Sequence, residues 1–122
     1  MDGIHHIALR VRDCDIAARF YASSVGLHEM RRITADSGGL RAVWMRAGTT
    51  VLMLEQSIRG RGQESGSGHV LVFPVDDLAT AERRLGASGV PIADRTAATV
   101  YFEDPDGHRV GLSTYRFEFG AS

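Results

Sequence analysis

One pattern is written twice in this chain, 63 positions apart. His6-Ile7-Ala8-Leu9 leads to Asp13, a helical stretch and Gly26-Leu27. His69-Val70-Leu71-Val72 leads to Asp76, a second helical stretch and Gly89-Val90. The pairs His6/His69, Asp13/Asp76 and Gly26/Gly89 all keep the same offset. A single supersecondary unit of this size cannot bury its own apolar face, so two copies must pack together.

Within each copy the signals come in one order. Apolar runs at Ile4 to Val11 and at Val70 to Val75 read as strands. Asp13 or Asp76 then stands at a helix N-cap, where a short carboxylate can accept from free backbone N–H groups. The first helix is predicted to reach about Ser24, with Ile16, Ala17, Phe20 and Tyr21 on one face. The second runs from about Asp77 to Ala87, with Leu78, Ala81 and Leu85 inward. Gly26 and Gly89 occupy C-cap positions. Further strands are expected at His28 to Thr34, Leu40 to Arg46, Thr50 to Gln56, Val90 to Asp94, Thr99 to Glu103 and His108 to Thr114. Gly38-Gly39, Ala47-Gly48 and Asp104-Pro105-Asp106-Gly107 supply the turns.

The expected fold is α+β: two tandem βαβββ modules forming a cupped, mostly antiparallel sheet with helices outside. Module 1 covers about 1–57, a Gly/Ser/Arg-rich linker 58–67, module 2 about 68–115 and a tail 116–122. In the tail Phe117 and Phe119 alternate with Glu118, as an added edge strand or a cover for a neighbour would.

Composition narrows the partners. The 122 residues suit one domain, and the apolar share of 43% supports a core rather than disorder. A net charge of −1 predicts neither nucleic acid nor an anionic membrane as partner. All 14 basic residues are Arg, which removes any Lys Schiff base or Lys general base. Cys14 is the single cysteine, so no internal disulfide forms. The expected location is cytoplasmic: no basic-then-apolar leader opens the chain, and no apolar run reaches the roughly 18 residues needed to span a bilayer.

Three stretches carry a family likeness: His6 to Asp13 with Phe20-Tyr21 and Val25-Gly26-Leu27; Gly68-His69-Val70 with Val75-Asp76-Asp77-Leu78; and Phe102 to Arg109 around the Asp-Pro-Asp-Gly turn. The chain resembles the vicinal oxygen chelate superfamily, which includes glyoxalase I, bleomycin-resistance proteins, extradiol dioxygenases, fosfomycin-resistance enzymes and methylmalonyl-CoA epimerase. The likeness extends to about Thr114.

That resemblance implies a small-molecule site and, in many members, a divalent metal such as Zn, Mn, Ni or Fe held by imidazole and carboxylate. It places metal ligands at His6 and His69. Glu55 is the candidate third ligand and candidate catalytic carboxylate, with Met53 or Leu52 as the alternative occupants of that ligand slot if the strand register is shifted. The acid usually found a few residues after Asp-Pro-Asp-Gly falls at Gly111, which has no side chain to ligate. Two functions follow. One is a metal-dependent lyase, isomerase or dioxygenase acting on a substrate with neighbouring oxygens. The other is a metal-free drug- or metabolite-binding protein of the resistance type. The resemblance also implies a homodimer.

Trp44, Met53 and Tyr101 are candidate pocket walls. Trp44 must face away from Met45, and Tyr101 away from Phe102. His5 is expected exposed or under a helix, and His108 facing solvent. Cys14 sits in a first helical turn, where a thiol pKa can fall, but no base stands near it in sequence. Arg59 and Arg61 keep the linker soluble or border a pocket mouth.

Overall fold

The computed structural model describes residues 3–56 and 68–119. The expected linker at 58–67, with Arg59 and Arg61, and the final three residues of the tail lie outside the described residues. The elements are β1 (His6–Arg10), α1 (Cys14–Phe20), a π-helical turn (Tyr21–Val25), β2 (His28–Thr34), β3 (Leu40–Ala47), β4 (Thr50–Glu55), β5 (Val70–Pro74), α2 (Leu78–Ala87), β6 (Asp94–Arg95), β7 (Thr99–Glu103) and β8 (Arg109–Ser113).

The sequence repeat is a repeat in space. Each module is βαβββ, and the two sheets have matching orders, β1-β4-β3-β2 and β5-β8-β7-β6. The first strand of each module runs parallel to its last, β1 with β4 and β5 with β8. A parallel pair needs a long crossover, and the module's helix lies within it. The remaining pairs are antiparallel. The strands thus divide between two four-stranded mixed sheets. The strand expected over Val90 to Asp94 reduces to the two residues of β6. The described part of the tail forms no strand.

Capping explains where the helices start. Asp13 accepts from the N–H groups of Asp15 and Ile16. The second cap is Asp77, which accepts from Thr80 N and Thr80 Oγ1. Asp76, the expected cap, accepts instead from Arg116 Nη2 at 2.9 Å. On α1 the buried stripe is Cys14, Ala17, Ala18 and, one turn on, Tyr21. Ile16 lies outside that i, i+3, i+4, i+7 stripe and is 49% exposed, which corrects its expected place on the inner face. The helix ends in a wider π turn closed by Gly26, whose φ of +86° favours a residue without Cβ.

One core spans both modules. Leu9, Tyr21, Leu54, Leu85, Phe102 and Leu112 belong to the same buried cluster. Cys14 is part of it. Its thiol donates to Gln56 Oε1 at 3.0 Å, and burial pushes its pKa up. It is a thiol packed in the core.

The Asp104–Gly107 turn does more than reverse the chain. The buried carboxylate of Asp104 accepts from the backbone N–H groups of Asp106 and His108, at 2.9 and 2.8 Å. Its other oxygen accepts from Tyr21 Oη of module 1 at 2.7 Å. Asp106 accepts from Arg12 N and Arg12 Nε, and the Pro105 carbonyl accepts from Arg12 Nη2 at 2.6 Å. His108 is only 3% exposed, and its Nε2 lies 2.8 Å from the Arg10 carbonyl. A carbonyl only accepts, so Nε2 carries the proton. This corrects the expectation of a solvent-facing His108. The motif closes a hairpin and clasps module 1.

Burial, with the Asp104 charge adding to it, raises the Tyr21 phenol far above its ordinary range. The unfolded phenol ionises near pH 10, and the folded one resists ionisation there. The stabilisation is therefore complete below about pH 10 and is lost as pH rises beyond it. Melting curves should show an alkaline loss of stability that is reduced in Tyr21→Phe. The same variant should lose about 1–3 kcal/mol in urea unfolding at neutral pH, because a buried carboxylate loses its partner.

Candidate functional site

Strand alternation sorts the candidates by face. Ile7 and Leu9 on β1, and Leu52 and Leu54 on β4, pack into the core. His6 and Arg10 therefore share the opposite face with Val51, Met53 and Glu55. Met45 is fully buried, so Trp44 turns to that outer face, directly across from Met53. The Arg31 guanidinium lies 5.7 Å from the Trp44 ring centroid. Trp44 and Met53 thus form one apolar patch on the first sheet.

The register does not bring Glu55 to His6. His6 pairs with Val51 and Arg10 with Glu55. The two candidate ligands stand four strand steps apart, about 13 Å at the usual rise. His6 Nδ1 instead lies 2.8 Å from His5 Nδ1, and both residues are exposed. His69 precedes β5, its ring 5.4 Å from that of the buried His108. Among the described residues no three His, Cys, Asp or Glu side chains are grouped to hold a metal ion. His6, Glu55 and His69 of one chain do not fit a shared divalent ion.

The second sheet accounts for the missing acid. Gly111 sits on β8 between Val72 of β5 and Tyr101 of β7. The Tyr101 ring leans across the strand onto it. A Cβ placed at Gly111 would lie 3.1 Å from Tyr101 Cδ1 and Cε1 and 3.2 Å from Val72 Cγ2. These contacts are tighter than most side chains tolerate, so any larger residue asks Tyr101 or Val72 to give by a few tenths of an ångström, and glycine lets the ring lie close. The Arg109 guanidinium stacks 4.7 Å from the Tyr101 centroid and pairs with Asp94 at 3.5 Å. An aromatic ring fills the place where the resemblance predicts a carboxylate. Phe102 faces the core, as the alternation requires.

Beside that ring runs a groove of about 510 Å³, bordered by Val72, Pro74, Thr99, Tyr101, Tyr115 and Phe117. Its volume is in the range of small-molecule pockets. Of these residues only Tyr101 was foreseen. Phe117 and Phe119 alternate with Glu118 in the sequence, but nothing in the order of residues says that Tyr115 and Phe117 return to β5 and β7. Thr99 and Ser113 carry no local signal at all; they are cross-strand partners on β7 and β8.

Residues 3–112 match the family model described as Glyoxalase/Bleomycin resistance protein/Dioxygenase superfamily. Among solved structures, the chain is similar to lactoylglutathione lyase from Agrobacterium tumefaciens, with 23% identity, 93% of each chain covered and a TM-score of 0.71. It is similar to the fosfomycin resistance protein FosX from Mesorhizobium loti, with 21% identity, 95% of this chain and 94% of that one covered, and a TM-score of 0.77. It is similar also to an antibiotic binding protein from Streptomyces sp. CB03234, with 22% identity, 93% and 95% covered, and a TM-score of 0.71. No curated protein matches the sequence significantly. Identities this low speak to the fold and leave the chemistry open. The match over residues 3–112, together with the doubled βαβββ fold, shows that the chain belongs to the glyoxalase/bleomycin resistance/dioxygenase superfamily.

Proposed function

We propose that the protein binds an apolar small molecule without the help of a metal ion. The observation that carries this reading is the Tyr101 ring packed onto Gly111, where a ligating acid would otherwise stand. The separation of Glu55 from His6 along the β1–β4 register supports it. A solved relative described as an antibiotic binding protein shares the fold and makes such a role reasonable for this chain too. A homodimer belongs to the same reading. Val70 on β5 is exposed, and β1 and β5 are both sheet edges.

The metal-dependent alternative rests on the retention of His6 and His69, and on likeness to solved lyase and fosfomycin resistance proteins. It is tested directly. Protein purified without a polyhistidine tag should carry less than about a tenth of an equivalent of divalent metal. Its melting temperature should not respond to Zn, Mn, Ni or Fe(II). One equivalent of tightly held metal that raises the melting temperature would overturn the reading.

Gly111→Glu is predicted to destabilise the fold by about 1–3 kcal/mol in urea unfolding, since the new side chain crowds Tyr101 and Val72. Adding Tyr101→Ala should restore part of that loss. Sedimentation at high protein concentration checks the dimer, and a monomer there would refute it.

A further inference from the structure

We infer that the groove between β5, β7 and the C-terminal tail takes an uncharged, planar aromatic molecule carrying a carbonyl or ether oxygen. This rests on the metal-free binding reading and names its ligand class.

Four observations converge. First, the groove is walled by rings and aliphatic groups. Tyr101, Tyr115 and Phe117 meet Val72 and Pro74 around one concavity of about 510 Å³. Aromatic walls favour a flat guest, because stacked or edge-to-face rings gain energy beyond the area they bury. Second, no charged side chain is among the described lining residues. An ionised guest would lose hydration against these walls, and the nearby Arg109 guanidinium over Tyr101 is already paired with Asp94.

Third, the polar part of the wall is a hydroxyl pair with a proton to spare. Thr99 Oγ1 and Ser113 Oγ are 2.8 Å apart and both nearly buried. Ser113 Oγ also accepts from Tyr115 N at 3.1 Å. Two hydroxyl protons share one mutual bond, so one proton has no acceptor among the described residues. Both residues line the groove, so a guest oxygen there would complete the set.

Fourth, the tail passes beside the groove and leaves its rings in water. Arg116 bonds Asp76 Oδ1 at 2.9 Å and the Val75 carbonyl at 3.4 Å. On the other side of the tail, Tyr115 and Phe117 pack edge to face at 4.9 Å, and Phe117 remains 74% exposed. A segment presenting exposed rings toward an apolar groove is shaped to cover a guest.

Prodan, a neutral naphthalene ketone with environment-sensitive fluorescence, is the probe. Titration of the full chain in EDTA should give a blue-shifted signal that saturates at one prodan per chain. Phe117→Ala and Tyr101→Ala should each weaken binding at least about tenfold, the loss expected when an aromatic anchor is removed. Ser113→Ala should weaken prodan by about fivefold while leaving dimethylaminonaphthalene, which lacks the ketone, unchanged. Anilinonaphthalene sulfonate, which is charged, should bind at least about tenfold more weakly than prodan. Ile16→Ala, on the exposed side of α1, should behave as wild type.

Prodan binding that ignores both Phe117→Ala and Tyr101→Ala would overturn the groove assignment while leaving metal-free binding standing. Equal affinity for the sulfonate would overturn the uncharged class. Failure of prodan to bind would overturn the ligand class, and the metal analysis above would still judge the broader reading. If Phe117→Ala alters the sedimentation coefficient and leaves prodan binding intact, the tail covers a second copy of the chain and the inference fails.

Discussion

The clasp around Asp104 is the interaction on which the rest of the molecule depends. Each module alone presents a half-covered sheet and a helix, and neither is self-sufficient. Asp104 ties its own hairpin through two backbone N–H groups and then reaches Tyr21 in the other module. Arg12 and the Arg10 carbonyl fasten the same turn from the opposite side. A buried carboxylate is costly unless its oxygens are satisfied, and here three donors meet them. The clasp sets where β8 lies, and β8 carries Gly111 and Ser113.

From that placement the character of the outer face follows. Gly111 removes a side chain from the middle of the second sheet, and Tyr101 takes the space. The sheet gains an aromatic surface there instead of a charge. Along the same strand Ser113 meets Thr99, and the tail continues directly from β8 with Tyr115 and Phe117. Apolar binding surface, hydroxyl pair and aromatic cover are consequences of one strand's register. In the first module the corresponding face carries Trp44 and Met53, with Arg31 over the indole. Both modules thus turn apolar and aromatic groups to this face, in the first module alongside His6 and Glu55.

Several local sequence signals are overridden in the folded chain, each for an identifiable reason. His108 looked solvent-facing because it follows a polar turn, but the turn itself is pressed against module 1. Ile16 looked buried because it is apolar, yet the stripe that meets the sheet is set by Cys14, Ala17, Ala18 and Tyr21. Asp76 looked like a cap because two adjacent acids compete for the role; Arg116, forty residues away, holds one of them and leaves Asp77 to the helix. Each error is a local rule overridden by a distant partner.

The doubled unit, its strand and helix types, the hairpin at Asp104–Gly107 and the family likeness were all written in the order of residues. They depend on periodicity, capping chemistry and turn chemistry, which act over a few positions. The missing acid at Gly111 was equally legible. What filled its place was not, since Tyr101 and Val72 reach Gly111 only through the β7–β8 and β5–β8 pairings. The separation of His6 from Glu55 was likewise decided by the parallel register of β1 and β4. Alternation fixes which face a residue takes, but only pairing between distant strands fixes how far along that face it stands.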